Sequence, residues 1–349
     1  MVYTVLHLLS TKTLNGVGKL ALDICKNLDK DIFQTITVCA GDELKSCFKE
    51  ESIESFKIDI SNLNIIGILK LRKLIKNENI SLIHAHDVCA SIAAKLASVS
   101  MNIILISHIH GEYDWLKNNS ILKIIDRIFR DKYDLSLVCS KNDREFYCKY
   151  NSKCDKDKVI ALPNSFDLGQ INKANIIFSA DFKSLNNIPK DKYIFGYIGR
   201  LIDLKGIDLL INSFYLFQKK NNNSILIIVG EGEEKERLIN LAIKYNILTK
   251  IYFMGYRRDV YNWLNIFDCF ILPSKREGLP LIILEAMAMK KIVISMSVGG
   301  IPELIVNNYN GILIEEREHQ LLLKSMEYIY ENKREISKII ENVFGIIKV

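Results

Sequence analysis

Short apolar runs of strand length recur along this chain, each followed by a helical stretch, and the series occurs twice. The first falls near residues 3–9, 33–39, 80–84, 103–108, 135–139 and 159–162; the second near 193–199, 224–230, 250–254, 267–272, 291–295 and 312–314. Strands alternating with helices build parallel sheets through right-handed crossovers. The pattern therefore predicts an α/β chain of two Rossmann-like domains, residues 1–178 and 179–330, with a short tail at 331–349. The polar stretch from Asn172 to Lys192, which carries Pro189, is read as the linker. Ligands of such sheets bind outside the carboxyl ends of the strands. Two domains facing each other across a cleft would bring the strand-end turns of both to one ligand.

One strand-end turn stands out. In Pro273-Ser274-Lys275-Arg276-Glu277-Gly278-Leu279-Pro280-Leu281-Ile282-Ile283-Leu284-Glu285, two carboxylates flank a turn made otherwise of Gly, Pro and aliphatic residues. The run Phe267 to Leu272 reads as a buried strand, and Pro280 suits a first helical position, where its missing N–H is not needed. Glu277 then lies on the turn and Glu285 inside the helix. The N–H groups of Gly278, Leu279 and Leu281 would offer donors and a favourable dipole to a phosphate or sugar oxygen.

A length of 349 residues suits two domains, and a 49% hydrophobic content suffices for two cores. No apolar run reaches the ~18 residues of a spanning helix, and Met1 to Leu6 reads as a first strand rather than a leader, so a cytoplasmic chain is expected. The eight cysteines are scattered without a Cys-x-x-Cys pair and are read as reduced core thiols. The net charge of +6 is spread over both halves, which argues against a nucleic-acid partner.

Several motifs carry a resemblance. The spacing from Glu277 to Glu285 within Arg-Glu-Gly-Leu-Pro resembles the signature of retaining glycosyltransferases of family 4, of the GT-B fold. Gly196-Tyr197-Ile198-Gly199-Arg200-Leu201 with Lys205-Gly206 is similar to that family's donor-diphosphate loop. Val229-Gly230-Glu231-Gly232, Phe253-Met254-Gly255-Tyr256, and Gly299-Gly300-Ile301-Pro302-Glu303 with Asn310-Gly311 follow in the family's order. The resemblance implies that Arg200 and Lys205 hold the donor phosphates, that Glu285 holds the ribose hydroxyls and that Glu277 touches the transferred sugar. Backbone near Gly230, Gly255 and Tyr256 would meet the nucleotide, and Gly278, Leu279, Pro280 and Leu281 would line the donor. Asn15-Gly16-Val17-Gly18 matches the family's first loop with Val17 between the glycines, so Gly16 and Gly18 are candidate donor contacts. The tail 331–349 looks short beside the family's usual crossover helix.

His84-Ala85-His86 and His108-Ile109-His110 each end an apolar strand, and alternation puts the two members of each pair on one face. Four such imidazoles raise a zinc alternative. The segment Ser107 to Gly111 is instead similar to the family's acceptor-domain histidine motif, which makes His110 the candidate that reaches the donor sugar or its phosphate. Asp155-Lys156-Asp157 matches a metal-holding Asp-x-Asp pattern, but it is interleaved with Lys153, Lys156 and Lys158 and precedes a strand, so a solvated loop is expected. Two basic amphipathic stretches, Ile65 to Lys76 and Trp115 to Lys132, are candidates for an anionic lipid surface, the second more than the first.

The function expected is that of a retaining, metal-independent glycosyltransferase. It would move a hexose or N-acetylhexosamine from a nucleotide diphosphate sugar, UDP favoured, to a glycan or lipid-linked glycan acceptor in bacterial surface-polysaccharide synthesis. Peripheral contact with the inner face of the membrane is expected, and no cofactor. The alternatives are a non-catalytic nucleotide-sugar-binding module and a sugar-nucleotide epimerase of the same fold.

Overall fold

The computed structural model describes residues 2–111, 121–151 and 154–347. Two compact units divide the chain at Ser165/Phe166. In the first, β1 (Tyr3–Leu9), β2 (Phe33–Cys39), β3 (Glu54–Lys57), β4 (Leu82–His86), β5 (Ile104–Ile109), β6 (Leu135–Val138) and β7 (Val159–Ala161) form one parallel sheet. The strand order is β3-β2-β1-β4-β5-β6-β7, so the winding reverses between β1 and β4. Leu6, Leu8, Val38 and Ile83 are fully buried in it, as strands covered on both faces require. β3 was missed from sequence. Its four residues, Glu-Ser-Phe-Lys, form an edge strand, where charged side chains blunt unwanted pairing and dilute the apolar signal.

The second unit repeats the plan with β8 (Tyr193–Ile198), β9 (Ser224–Val229), β10 (Ile251–Gly255), β11 (Cys269–Leu272), β12 (Ile292–Met296) and β13 (Ile312–Ile314). The order β10-β9-β8-β11-β12-β13 puts its reversal between β8 and β11. Residues 166–185 belong to this unit. The Ile177 N–H donates to Asn262 Oδ1 at 2.8 Å, and Phe182 meets Trp263 edge-on with ring centroids 4.9 Å apart. The expected boundary at 178/179 thus falls inside a segment that is tied to the second unit by these side chains. At the other end, residues Lys333–Ile347 form a helix whose Ile336 and Ile339 enter the second core, against the helix Leu281–Ala288. Most of the stretch read as a short tail, the helix Lys333–Ile347, is thus part of that unit.

One glycine fixes how the central strand of the second unit is covered. A Cβ on Gly196 would lie 2.0 Å from the ring of Phe267, which is fully buried. Gly196→Ala is therefore expected to lower the urea midpoint of the second unit, by about 1–3 kcal/mol of stability or more. An unchanged midpoint would show that the ring can move aside.

Candidate active site

In the second unit the turns that follow β8 and β11 sit side by side at the reversal of strand order, where open α/β sheets bind ligands. Backbone contacts tie them together. After β8, residues Asp203–Lys205 form a 3-10 turn that ends at Gly206 with φ +65. A Cβ there would be 2.3 Å from the carbonyl oxygen of Pro273, so only glycine lets the two turns approach this closely. The Lys275 N–H donates to the Leu204 carbonyl at 2.9 Å. A third loop closes in from beyond β12. Gly299, at φ +55, sits where a Cβ would be 1.8 Å from the Glu277 carbonyl oxygen, and the Gly300 N–H donates to Gly278 at 2.8 Å.

This scaffold holds a charged cluster. Lys205 Nζ lies 2.5 Å from Glu277 Oε1, and Ser274 Oγ donates to the same oxygen at 2.6 Å. Both charged side chains are mostly buried, at 17% and 10% exposure, so their attraction is screened less than at a surface. Arg200 is exposed beside them, and its carbonyl accepts from Tyr197 Oη at 2.9 Å. Burial, followed by the nearby Glu277 charge, pushes the Tyr197 phenol well above its usual range. Tyr197 thus stays a neutral hydrogen-bond donor that shapes the turn.

The helix Leu281–Ala288 starts one residue later than expected. Pro280 is its N-cap, with an extended ψ of 119, and not its first helical residue. No side chain caps this start. Gly278, Leu279 and Leu281 are buried around it, with Pro280 partly covered. Glu285 is buried to 4% exposure in an otherwise apolar helix, where Tyr261 Oη approaches its Oε1 at 3.4 Å. Tyr261 Oη also reaches Gln170 Oε1 at 3.3 Å. At the ends of β9 and β10, Gly230 (φ +142) packs on Gly199 and donates to the Gly255 carbonyl at 2.8 Å, while Tyr256 is half-exposed.

In the first unit, Asn15 caps the helix Gly16–Asn27 by accepting from the Gly18 N–H at 3.0 Å. Gly16 is open, whereas Gly18 is buried against Leu44. Five imidazoles line the strand ends here. Parallel register sets His7 beside His84 and His86 beside His108. His7 Nδ1 lies 3.1 Å from His86 Nε2, His84 Nε2 lies 3.2 Å from His108 Nδ1, and His86 Nδ1 lies 3.4 Å from His110 Nε2. His110 Nδ1 meets Cys139 Sγ at 3.6 Å, so both of its ring nitrogens have neighbours within this unit. Asp155 accepts from the Asp157 N–H on an exposed turn before β7, as a solvated loop would.

The chain matches the family "Glycosyltransferase Family 4" over residues 14–170 and "Glycosyl transferases group 1" over residues 179–344. It is 31% identical to the O-antigen biosynthesis glycosyltransferase WbnH of Escherichia coli, over 78% of this chain and 75% of that one. It belongs to glycosyltransferase family 4. The UDP-Gal:alpha-D-GlcNAc-diphosphoundecaprenol alpha-1,3-galactosyltransferase of Escherichia coli is 25% identical over 98% of this chain and 93% of its own. Among solved structures, Anabaena Alr3699/HepE in complex with UDP-glucose superposes with a TM-score of 0.86 at 19% identity, covering 99% of this chain and 94% of that one. The fold is the GT-B architecture of these enzymes.

For a glycosyltransferase of this family the structure gathers Arg200, Lys205, Glu277 and Gly278 to Leu281 at one strand edge of the second unit. His110, Gly16 and Gly18 lie in the first. Sequence reasoning missed Ser274, Tyr261, Gln170 and His7. Ser274 was recoverable, being a hydroxyl three residues before Glu277 on the same turn. Tyr261 and Gln170 lie far from Glu285 in sequence and carried no signal, and His7 gave none without the register of β1 on β4. Arg130, read as part of a basic surface, is instead buried. Its Nη2 pairs with Asp126 at 2.5 Å, and that carboxylate also accepts from Tyr147 Oη and from Asn151. Burying one charge required burying its partner. Arg72 likewise donates to the carbonyls of Ala97 and Val99. Trp115, Leu116 and Lys117, read with the same basic stretch, and Lys153 lie outside the described residues.

Burial lowers all five clustered histidines, His84 to about 4 and His110 to about 3 from the ordinary 6.5. Between those values the unfolded chain binds protons that the folded chain refuses. Stability is therefore full above about pH 6.5 and falls as the pH drops towards 4, by up to about 1.4 kcal/mol per pH unit for each such proton. Urea midpoints measured from about pH 7.5 to 4.5 should show this slope for the native chain and a shallower one for His84→Gln. Equal slopes would remove the histidines as its source.

Proposed function

We propose that this enzyme transfers a hexose or N-acetylhexosamine, with retention of configuration and without a metal ion, from a nucleotide diphosphate sugar to a glycan or lipid-linked glycan acceptor. UDP is the favoured nucleotide, and surface-polysaccharide assembly the setting. The observation that carries the proposal is the Lys205–Glu277–Ser274 cluster, with Arg200 beside it, at the strand-order reversal of the second unit. The names of the similar proteins agree with it: the galactosyltransferase takes UDP-Gal to a diphosphoundecaprenol-linked sugar, and HepE was solved with UDP-glucose.

In this reading Arg200 and Lys205 face the diphosphate, and their charges stabilise the negative charge that grows as the bond from the anomeric carbon to the phosphate oxygen breaks. The acceptor hydroxyl oxygen bonds to that carbon on the same face, and its proton passes to the departing phosphate. Glu277 sits at the junction, one oxygen on Lys205 and Ser274, and orients the sugar. Glu285, inside the helix, holds the ribose hydroxyls, with Tyr261 steadying its carboxylate. His110 approaches the sugar or its phosphate after giving up its contact with the His86 ring or with the Cys139 thiol. Two exposed apolar patches support peripheral membrane contact in the cytoplasm. One comprises Ile65, Ile66 and Leu69 beside Lys70 and Lys73; the other comprises Ile124 and Ile128 near Lys123 and Arg127.

Lys205→Ala should lower turnover by ~10²-fold or more while donor affinity falls far less, because the stabilised charge peaks in the transition state. Near-normal turnover would take Lys205 out of the site. Chelation with EDTA should not lower the rate of UDP release with acceptor, and a loss restored by Mn²⁺ would overturn metal independence.

The two glutamates should separate by calorimetry. Glu285→Gln should weaken UDP itself, since a carboxylate accepts from hydroxyls more strongly than an amide does. Glu277→Gln frees Lys205 for the phosphates, so UDP affinity should hold or rise while transfer falls. Equal weakening of UDP by both would show that the carboxylates only brace the turn.

A further inference from the structure

Among the described residues, His86, His108 and His110 offer one ring nitrogen each within 4.8 Å of one another. His86 and His108 are fully buried, while His110 is mostly buried with its ring partly exposed. Ring partners indicate which nitrogens are available. His86 Nε2 is held by His7 Nδ1 at 3.1 Å, His108 Nδ1 by His84 Nε2 at 3.2 Å, and His110 Nδ1 by Cys139 Sγ at 3.6 Å. That leaves His86 Nδ1, His110 Nε2 and His108 Nε2. The first two are 3.4 Å apart, and His108 Nε2 is buried with no hydrogen-bond partner. In a tetrahedral site with zinc–nitrogen bonds of about 2.05 Å, neighbouring ligand nitrogens are about 3.3 Å apart.

We propose that His86, His108 and His110 form a binding site for a divalent transition ion of the zinc class, with His7, His84 and Cys139 fixing the three ligand rings from behind. Metal-bound histidines nearly always have the other ring nitrogen held by a second group, and here all three do. Three imidazoles with no carboxylate favour Zn²⁺ over Mg²⁺ or Mn²⁺, which prefer oxygen ligands. The overlapping set His7, His84 and His86 is buried throughout. In the chosen set His110 is partly exposed, so an ion would enter from its side. The ion would clamp β4 to β5 at their carboxyl ends. The proposal does not rest on the transfer chemistry above, but the two share His110: an ion held on its Nε2 keeps that ring from the donor, and releasing the ion frees it.

The test uses the full chain without a polyhistidine tag, stripped with chelator and titrated with Zn²⁺ against a chromophoric competitor, and separately with Co²⁺ as a spectroscopic probe. One ion per chain is expected, with visible bands of four-coordinate Co²⁺ and a rise in the thermal midpoint on adding Zn²⁺. His108→Gln should weaken binding by about 100-fold or more and abolish that rise, and His84→Gln should weaken it about 10-fold. His319→Gln, outside the cluster, should change neither. Circular dichroism checks that the variants fold; should His108→Gln not fold, His84→Gln and the cobalt spectrum of the native chain decide. Failure to bind Zn²⁺ stoichiometrically would overturn the proposal, as would native-like binding by a folded His108→Gln chain or by His84→Gln.

Discussion

The ammonium of Lys205 and the carboxylate of Glu277 meet at 2.5 Å although 72 positions separate them in the chain. That contact exists because parallel strands end at one edge and because the winding of the second sheet reverses between β8 and β11. Everything else in the site serves the approach of those two turns. Gly206 lets one reach the backbone of the other, and Gly299 lets a third loop close on Glu277 from behind. Replacing either glycine would insert a Cβ well inside contact distance of a carbonyl oxygen, so it is the backbone, before any side chain, that fixes where the charges stand.

A mostly buried ion pair of this kind is weak evidence for stability, because desolvating both charges offsets much of their attraction. It makes better sense as preorganisation. Held by Ser274 and Lys205, the carboxylate needs little reorganisation when a ligand arrives, and fixed charge in a low-dielectric site acts more strongly on a developing charge than mobile water does. Glu285 follows the same logic in a harsher setting, as a carboxylate in a helix whose other core-facing residues are Leu281, Ile283, Ala286 and Met287. Burying an acid there requires polar partners, and Tyr261 Oη supplies one.

How much of this was legible in the sequence depends on the range of the interaction. Strand and helix alternation is a local signal, and every central strand was located from it. The edge strand β3 was not, since Glu54 and Lys57 face solvent and break the apolar run. Among the candidate residues, Glu277, Arg200 and Lys205 stood out because they share turns with Gly and Pro, and Glu285 because of its spacing from Glu277. Tyr261 and Gln170 were not, because their approach to Glu285 depends on tertiary packing between distant segments. Arg130 misled because a helical pattern reports which residues share a face but not that Asp126, Tyr147 and Asn151 wait beneath it.

The histidines show the same limit from the other side. Two His-x-His pairs were visible, but their joining into one array rests on registers that only the folded sheet supplies, His84 against His7 and His108 against His86. Parallel pairing in register turns a period of two along each strand into stacked rungs across neighbouring strands. His84 and His86 thus stack at 4.2 Å between ring centroids, with His108 and His110 at 4.1 Å beside them. A sheet interior has little reason to carry five imidazoles that must all stay neutral, since aliphatic residues would fill the space without a buried unpaired nitrogen. His7 Nε2 and His108 Nε2 are such nitrogens. An ion on the His108 side would satisfy one of them; the other belongs to His7 on β1, whose opposite nitrogen, Nδ1, orients His86.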